Sequence, residues 1–381
     1  MMPMKILHVG KFWPGRGGME RMMYDIVHGF SSKGYRCDLL CAAVDNSSEV
    51  VTLNENGRII CTPTWMTVAA TKITPAMIWK LRKICHNYDI VHIHHPDPMA
   101  NLALWMSGYK GKVILHWHSD ILKQKNLLKV YKPLQDWMID RADLVIGTSP
   151  VYLKESPHLA GAVNKMACLP IGVQQVCPDV EGVKVIRSKY AGKKLIFTVG
   201  RLVGYKGHKY LIDSAKYLPD DYVILIGGDG PLQGEMKRQI SEAHLEDKVI
   251  LLGRLSDEDL ENYYGACDVF CLSSIWKTEA FGMVQVEAMS CGKPVVATEI
   301  PGSGVSWVNK HEYSGLNVPP EDSRALAHAI KHILADRNRY DAYSDNARAR
   351  YEEHFTKHLF LKRCEEIYRR VIAGNAADYG L

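Results

Sequence analysis

Two carboxylates, Glu279 and Glu287, stand eight residues apart in Glu279-Ala-Phe-Gly-Met-Val-Gln-Val-Glu287. Glu279 precedes Ala280, Phe281 and Gly282, where a helix start offers free backbone N–H groups, and Met283 begins the helical run to Met289. Glu287 falls about two turns on, so both carboxylates can face one ligand lying across that helix N-terminus. One is then placed for neutral hydroxyls and the amides between them for an anion. A sugar joined to a diphosphate and a ribose needs those contacts. Alone, two Glu at this spacing more often mark a solvated helix face.

Upstream context changes the balance. Gly200-Arg201-Leu202 follows the apolar run Leu195–Val199, and Lys206 comes five residues after Arg201. Fixed cations on a glycine-punctuated loop at the end of a strand suit a pyrophosphate. The bland alternative is two screened surface cations. In Gly15-Arg16-Gly17-Gly18-Met19-Glu20, between the first strand and first helix, bare glycines let amides approach an anion; a tight turn is the alternative. Lys11 to Pro14 follow that strand. His92, His94, His95, His116 and His118 lie close in sequence, and alternation puts His116 and His118 on one side of a strand. A metal must be considered, but Asp97 and Asp120 are the only nearby carboxylates, so no metal is expected. His92 reads as a satisfied core residue. Asp257-Glu-Asp259 follows Ser256 and reads as a helix cap rather than a metal motif. Gly228-Asp-Gly-Pro231 opens a helix at Pro231, and its spacing fails the dinucleotide fingerprint.

The elements that carry these residues alternate. Ile6–Val9, Asp38–Ala42, Ile90–Ile93, Val113–Trp117 and Leu144–Ile146 read as buried parallel strands. Leu195–Val199, Tyr222–Ile226, Val249–Leu252, Val269–Leu272 and Pro294–Ala297 form a second series. Helical patterns lie between them, at Glu20–Lys33, Pro75–His86, His208–Tyr217, Leu232–Ala243 and Asp257–Ala266. Two βα series imply an α/β chain of two Rossmann-like domains, residues 1–175 and 185–354, followed by a C-terminal helix over 355–374.

A chain of 381 residues exceeds one ordinary core. Its net charge of +5 excludes a nucleic-acid-binding stripe, and no run of eighteen apolar residues suggests a membrane span. Ten cysteines without a Cys-x-x-Cys pair read as free buried thiols of a cytosolic protein, and the N-terminus does not read as a signal peptide. Lys123, Lys125, Lys129 and Lys132 alternate with apolar residues, a pattern that suits an anionic membrane surface as well as an ordinary packed helix.

Together, Gly17–Glu20, Gly-Arg-Leu with its downstream Lys, Gly228–Pro231, Gly253-Arg254 and Glu279–Glu287 resemble the retaining glycosyltransferases of family GT4, which have the GT-B fold. Order and spacing match over about residues 4 to 373. The resemblance implies a cleft between the domains that closes by hinge motion, and a C-terminal helix that crosses back to the first domain. It implies that Gly17, Gly18, Gly200, Arg201, Lys206, Arg254, Ala280 to Met283, Glu279 and Glu287 bind the donor, with Glu287 on the ribose and Glu279 on the sugar hydroxyls. His118 would lie near the transferred sugar, with Lys11 and Glu20 on the acceptor side. No cofactor is implied. The overall pattern resembles bacterial O-antigen mannosyltransferases. That makes GDP-mannose the expected donor and a polyprenyl-diphosphate-linked oligosaccharide the expected acceptor, at the cytoplasmic face of the inner membrane. A GT-B epimerase or hydrolase, a zinc hydrolase built on the histidines, and a non-catalytic nucleotide-sugar-binding subunit are the rival readings.

Overall fold

Runs rich in Val, Ile and Leu, bounded by Gly, Asp and Pro, form strands buried on both faces, as parallel sheets require. The computed structural model describes residues 4–14, 17–68, 71–121 and 125–374, without the side chains of 12 and 125–128. Arg16 and Lys123, and the side chain of Lys125, therefore lie outside the described residues.

The chain divides into two units, Met1–Ile171 with Phe360–Leu381, and Gly172–Leu359. The first holds strands β1 (Lys5–Trp13), β2 (Arg36–Ala43), β3 (Glu49–Asn54) and β4 (Gly57–Thr62), then a hairpin of β5 (Met66–Val68) and β6 (Thr71–Ile73). There follow β7 (Ile90–His95), β8 (Lys112–Trp117), β9 (Leu144–Gly147) and β10 (Met166–Cys168). Apart from the hairpin they form one sheet in the order β10-β9-β8-β7-β1-β2-β4-β3, with only the edge strand β3 antiparallel to its neighbour. From Phe360 onward the helix Lys357–Ala373 belongs to this unit, tied to it by Tyr35 Oη donating to Glu365 at 2.8 Å and by Tyr368, which reaches the sheet.

The second unit holds β11 (Lys194–Val199), β12 (Tyr222–Gly227), β13 (Val249–Gly253), β14 (Val269–Leu272), β15 (Val295–Thr298) and β16 (Gly315–Val318). They form an all-parallel sheet in the order β13-β12-β11-β14-β15-β16. Its core joins Ile196, Ile224 and Val296 of the sheet to Leu211, Leu326 and Ile330 of the helices.

Four expectations need correcting. Lys11–Trp13 do not follow β1 but continue it, past a register shift between Val9 and Phe12 and a positive φ of 39° at Lys11. Pro231 does not open its helix, which runs Gln233–Glu242 with Leu232 at the N-cap, because 228–231 is held as a loop. The helix expected from residue 355 begins at Lys357; Phe355 ends the preceding helix and packs with Phe281 at 5.9 Å. Cys177 is exposed rather than buried, although all ten cysteines are free.

Candidate active site

Glycine decides how the loops that follow β11, β12, β13 and β14 meet. Gly228, with φ +126°, lies so close to the loop after β11 that an added Cβ would sit 2.0 Å from Gly200 O. Hydrogen bonds join these loops, from Gly200 N to Gly227 O at 3.1 Å, Leu202 N to Asp229 O at 2.8 Å and Gly228 N to Gly253 O at 2.7 Å. Three motifs far apart in sequence are thus one backbone assembly at the ends of β11, β12 and β13. On the other flank Gly207, with φ +64°, presses on the loop after β14, where a Cβ would lie 2.1 Å from Ser273 O. Ser273 Oγ donates to Lys206 O at 3.1 Å, and Ile275 N to Tyr205 O at 2.8 Å.

That contact brings Lys206 to Glu279. The ammonium lies 2.6 Å from Glu279 Oε2, with only 11% and 12% of the two side chains exposed. Ser274 Oγ donates to the same carboxylate oxygen at 2.9 Å. Burial pulls the Lys206 pKa down, but the Glu279 carboxylate and Tyr205 outweigh it, and the group stays above its ordinary value. Arg201 is close enough to oppose that charge, is itself exposed, and has no ion-pair partner among the described residues.

Gly282, with φ +74°, ends the loop as N-cap of the helix Met283–Ser290, whose first amides lie beyond Glu279, Ala280 and the buried Phe281. Gly304 N donates to Ala280 O at 2.9 Å, pinning the loop from the side. Within the helix Glu287 is 7% exposed and accepts from Tyr264 Oη at 2.7 Å. Burial, then Glu287, push the Tyr264 hydroxyl pKa well up. Arg254 is exposed just after β13. Asp257 and Asp259 begin a helix whose N-cap Ser256 accepts from Asp259 N, as a cap would.

In the first unit Gly17 is the N-cap of the helix Gly18–Ser32, and the Glu20 carboxylate folds back over it, where a Gly17 Cβ would fall 2.2 Å from Oε2. Lys11 N donates to Asp97 Oδ2 at 2.6 Å, and Asp97 also caps the helix Pro98–Ser107. Asp120 accepts from Trp117 Nε1 at 2.9 Å and Ser156 Oγ at 2.7 Å. Both carboxylates considered as metal partners therefore have structural duties. The histidines come together instead with one that sequence spacing did not include, His8: His8, His92 and His94, and His94, His116 and His118, each place ring nitrogens within 4.8 Å of one another. Burial leads in lowering their pKa values, to about 3 for His8 and His116 and well below the usual range for His92, His94 and His118.

Residues 16–174 match the model of Glycosyltransferase Family 4, and residues 181–350 that of Glycosyl transferases group 1. The chain is 29% identical over 374 residues to O-antigen chain mannosyltransferase C of Escherichia coli, covering 97% of this chain and 99% of that protein. It is 28% identical to the D-rhamnosyltransferase WbpZ of Pseudomonas aeruginosa, over 93% of this chain and 92% of that one. Its fold matches Anabaena HepE, solved with UDP and glucose, at a TM-score of 0.78 and 22% identity, over 96% of this chain and 99% of that chain. The two parallel sheets have the GT-B architecture.

Proposed function

The chain is a glycosyltransferase of family 4, group 1, and from that premise we propose that it moves mannose from GDP-mannose, with retention, onto a polyprenyl-diphosphate-linked oligosaccharide in O-antigen synthesis. The buried Lys206–Glu279 pair is the observation that carries the donor side, since a cation and a carboxylate are held together on loops stitched by glycine contacts. The similarity to an O-antigen mannosyltransferase over nearly all of both chains supports the choice of sugar and pathway.

In this reading Arg201, Lys206 and the amides of Phe281, Gly282 and Met283 hold the charge developing on the departing diphosphate. Glu279, beside the amide of Ala280, accepts from the hexose hydroxyls, Glu287 from the ribose, and Gly200, Gly253 and Arg254 border the nucleotide. In the first unit, Gly17 and Gly18 offer helix-start amides to an anion, and Lys11, Glu20 and His118 serve the acceptor side. No side chain is assigned as a covalent nucleophile; the departing phosphate takes the acceptor's proton as the new glycosidic bond forms. Transfer is expected to need no metal, and loss of activity on chelation, restored by a divalent ion, would revive the histidine and Asp257/Asp259 alternatives.

Peripheral membrane contact is part of the same proposal. Lys129 is exposed on the helix Lys125–Arg141, whereas Lys132 pairs with Asp136 at 2.5 Å. Sequence reading missed a stronger feature of this unit. Trp65, Trp79 and Trp105 are 71%, 68% and 56% exposed, and tryptophan suits a lipid headgroup layer. Among the described residues no helix is long and apolar enough to cross a membrane.

The test is a panel of nucleotide sugars, read first by thermal shift and then by transfer to a lipid-linked acceptor. GDP-mannose is expected to stabilise the protein most and to give an α-mannoside by NMR. Preference for UDP-glucose or UDP-N-acetylglucosamine would refute the donor, and a β linkage would refute retention. Donor breakdown with no acceptor dependence would favour a hydrolase or epimerase.

A further inference from the structure

The histidines of the first unit are ordered by the sheet. In register, His8 of β1 stands beside His92 of β7, and His94 of β7 beside His116 of β8. Alternation turns them all to one face, where the helix Lys357–Ala373 brings Tyr368. His8, His92, His94 and His116 are fully buried, and His118 is 7% exposed.

Three of the rings meet edge to edge. His8 Nδ1 lies 2.9 Å from His94 Nε2, and His94 Nδ1 lies 3.0 Å from His118 Nε2. Centroids are 5.2 Å apart in both pairs, and the planes differ by only 23° and 10°. Nitrogens that face each other in one plane are hydrogen-bonded; ligands of a shared ion would instead turn their lone pairs toward a common point. At the inner end Tyr368 Oη lies 3.3 Å from His8 Nε2 and 2.7 Å from His92 Nδ1. At the outer end His118 Nδ1 has no partner among the described residues. His92 and His116 lie over this ribbon, with ring planes 8° from His94 and 24° from His118.

We propose that His8, His94 and His118 form a neutral ribbon locked to one shared tautomer, so that His94, His8 and Tyr368 are positioning residues for His118. A neutral imidazole carries one N–H and one lone pair. If His94 carries its proton on Nδ1, it donates to His118 Nε2 and accepts from His8 Nδ1, so all three are Nδ1–H. If the proton is on Nε2, both bonds reverse and all three are Nε2–H. No mixed state satisfies both bonds, and one unmade bond here leaves a buried polar group unsatisfied. A protonated ring is disfavoured by the burial that depresses these groups. The outer nitrogen of His118 is therefore a donor or an acceptor according to the one sense that all three rings share. That the outer nitrogen serves the transferred sugar rests on the functional reading above; the ribbon itself does not.

Long-range 1H–15N correlation on ligand-free protein labelled at histidine tests the ribbon directly. His8, His94 and His118 are expected to be neutral at pH 7 and to share one tautomer, whichever it is. Differing tautomers, a protonated ring among the three, or a stoichiometric transition metal in the purified protein overturns the proposal. No donor is involved, so this arm holds or fails independently of the choice of GDP-mannose. In transfer assays His94→Phe is expected to lower kcat up to about tenfold, the equivalent of one lost hydrogen bond, with the donor KM within about twofold. His94→Gln offers one donor and one acceptor group and is expected to recover most of that loss. An unchanged kcat in His94→Phe, or equal losses in both variants, overturns the positioning role.

Discussion

The two units bury ionisable side chains by opposite means. The second keeps charge and pairs it, with Lys206 against Glu279 at 2.6 Å and Tyr264 donating to Glu287. The first gathers five imidazoles on one face of its sheet and keeps them neutral, because burial outweighs protonation. Both answer the cost of an unpaired buried charge. They suit different tasks. A departing diphosphate needs standing positive charge, whereas a group serving sugar hydroxyls needs a defined hydrogen-bond sense without charge.

The largest effect expected from this difference is acid lability of the first unit. An unfolded imidazole titrates near 6.5, whereas His8, His95 and His116 are held down to about 3. Below pH 6.5 the unfolded chain therefore binds more protons, and stability falls as pH drops from about 6.5 toward 3. Three such rings amount to about 6 kcal/mol between pH 7.5 and 5.0, enough to open a typical domain. In the second unit the buried His208 is lowered to about 4, and the half-buried His332 is lowered as well. Amide exchange at pH 5 is expected to rise first in β1, β7 and β8. If β11 and β12 open first, the contrast between the units fails.

Next in size is Lys206→Ala, which leaves the Glu279 carboxylate buried with the Ser274 hydroxyl, at 2.9 Å, in place of its cation. Losing one side of a buried pair costs roughly 3–5 kcal/mol. Adding Glu279→Gln is expected to restore most of the stability, read by urea denaturation, but not the transfer activity. A double variant no more stable than Lys206→Ala would mean the pair is not coupled.

Glu279→Gln alone keeps the shape but leaves Lys206 without its anionic partner and removes charge-assisted bonds worth roughly 1.5–3 kcal/mol each. Transfer is expected to fall by one to two decades per lost bond, while nucleotide affinity stays nearly unchanged. A parallel loss of free-nucleotide affinity would move Glu279 from the sugar to the diphosphate.

The second unit was the more legible from sequence, because its chemistry-bearing residues sit on loops that follow plain apolar strands. Even so, the Lys206–Glu279 contact spans 73 positions and depends on β14 lying beside β11, which no local pattern announces. The ribbon was harder still. His94 and His118 were visible as alternate residues near buried strands, but His8 is 86 positions from its partner and Tyr368 a further helix away. The available signal was a lone histidine in the otherwise apolar Ile6–Val9. Strand β3 escaped because its residues are exposed or half-buried, so no core pattern marks it. The exposed tryptophans carry no periodicity at all.

The smallest effect concerns Tyr264, which separates orientation from charge within the second unit. Its hydroxyl donates to Glu287 at 2.7 Å from a fully buried ring. Tyr264→Phe removes one bond to a carboxylate and leaves the ring packing against Phe197 and Phe270 intact. Such a bond contributes about 1.5 kcal/mol, or roughly a tenfold change in an equilibrium constant. Glu287 keeps other interactions, so the loss is expected at or below that value. If Glu287 serves the ribose, the weakened orientation should raise the donor KM by up to about tenfold and leave kcat nearly unchanged, because the ribose lies away from the bond that breaks. A fall in kcat at constant KM would instead put Glu287 in the transition state, and the division of labour between the two carboxylates would have to be redrawn.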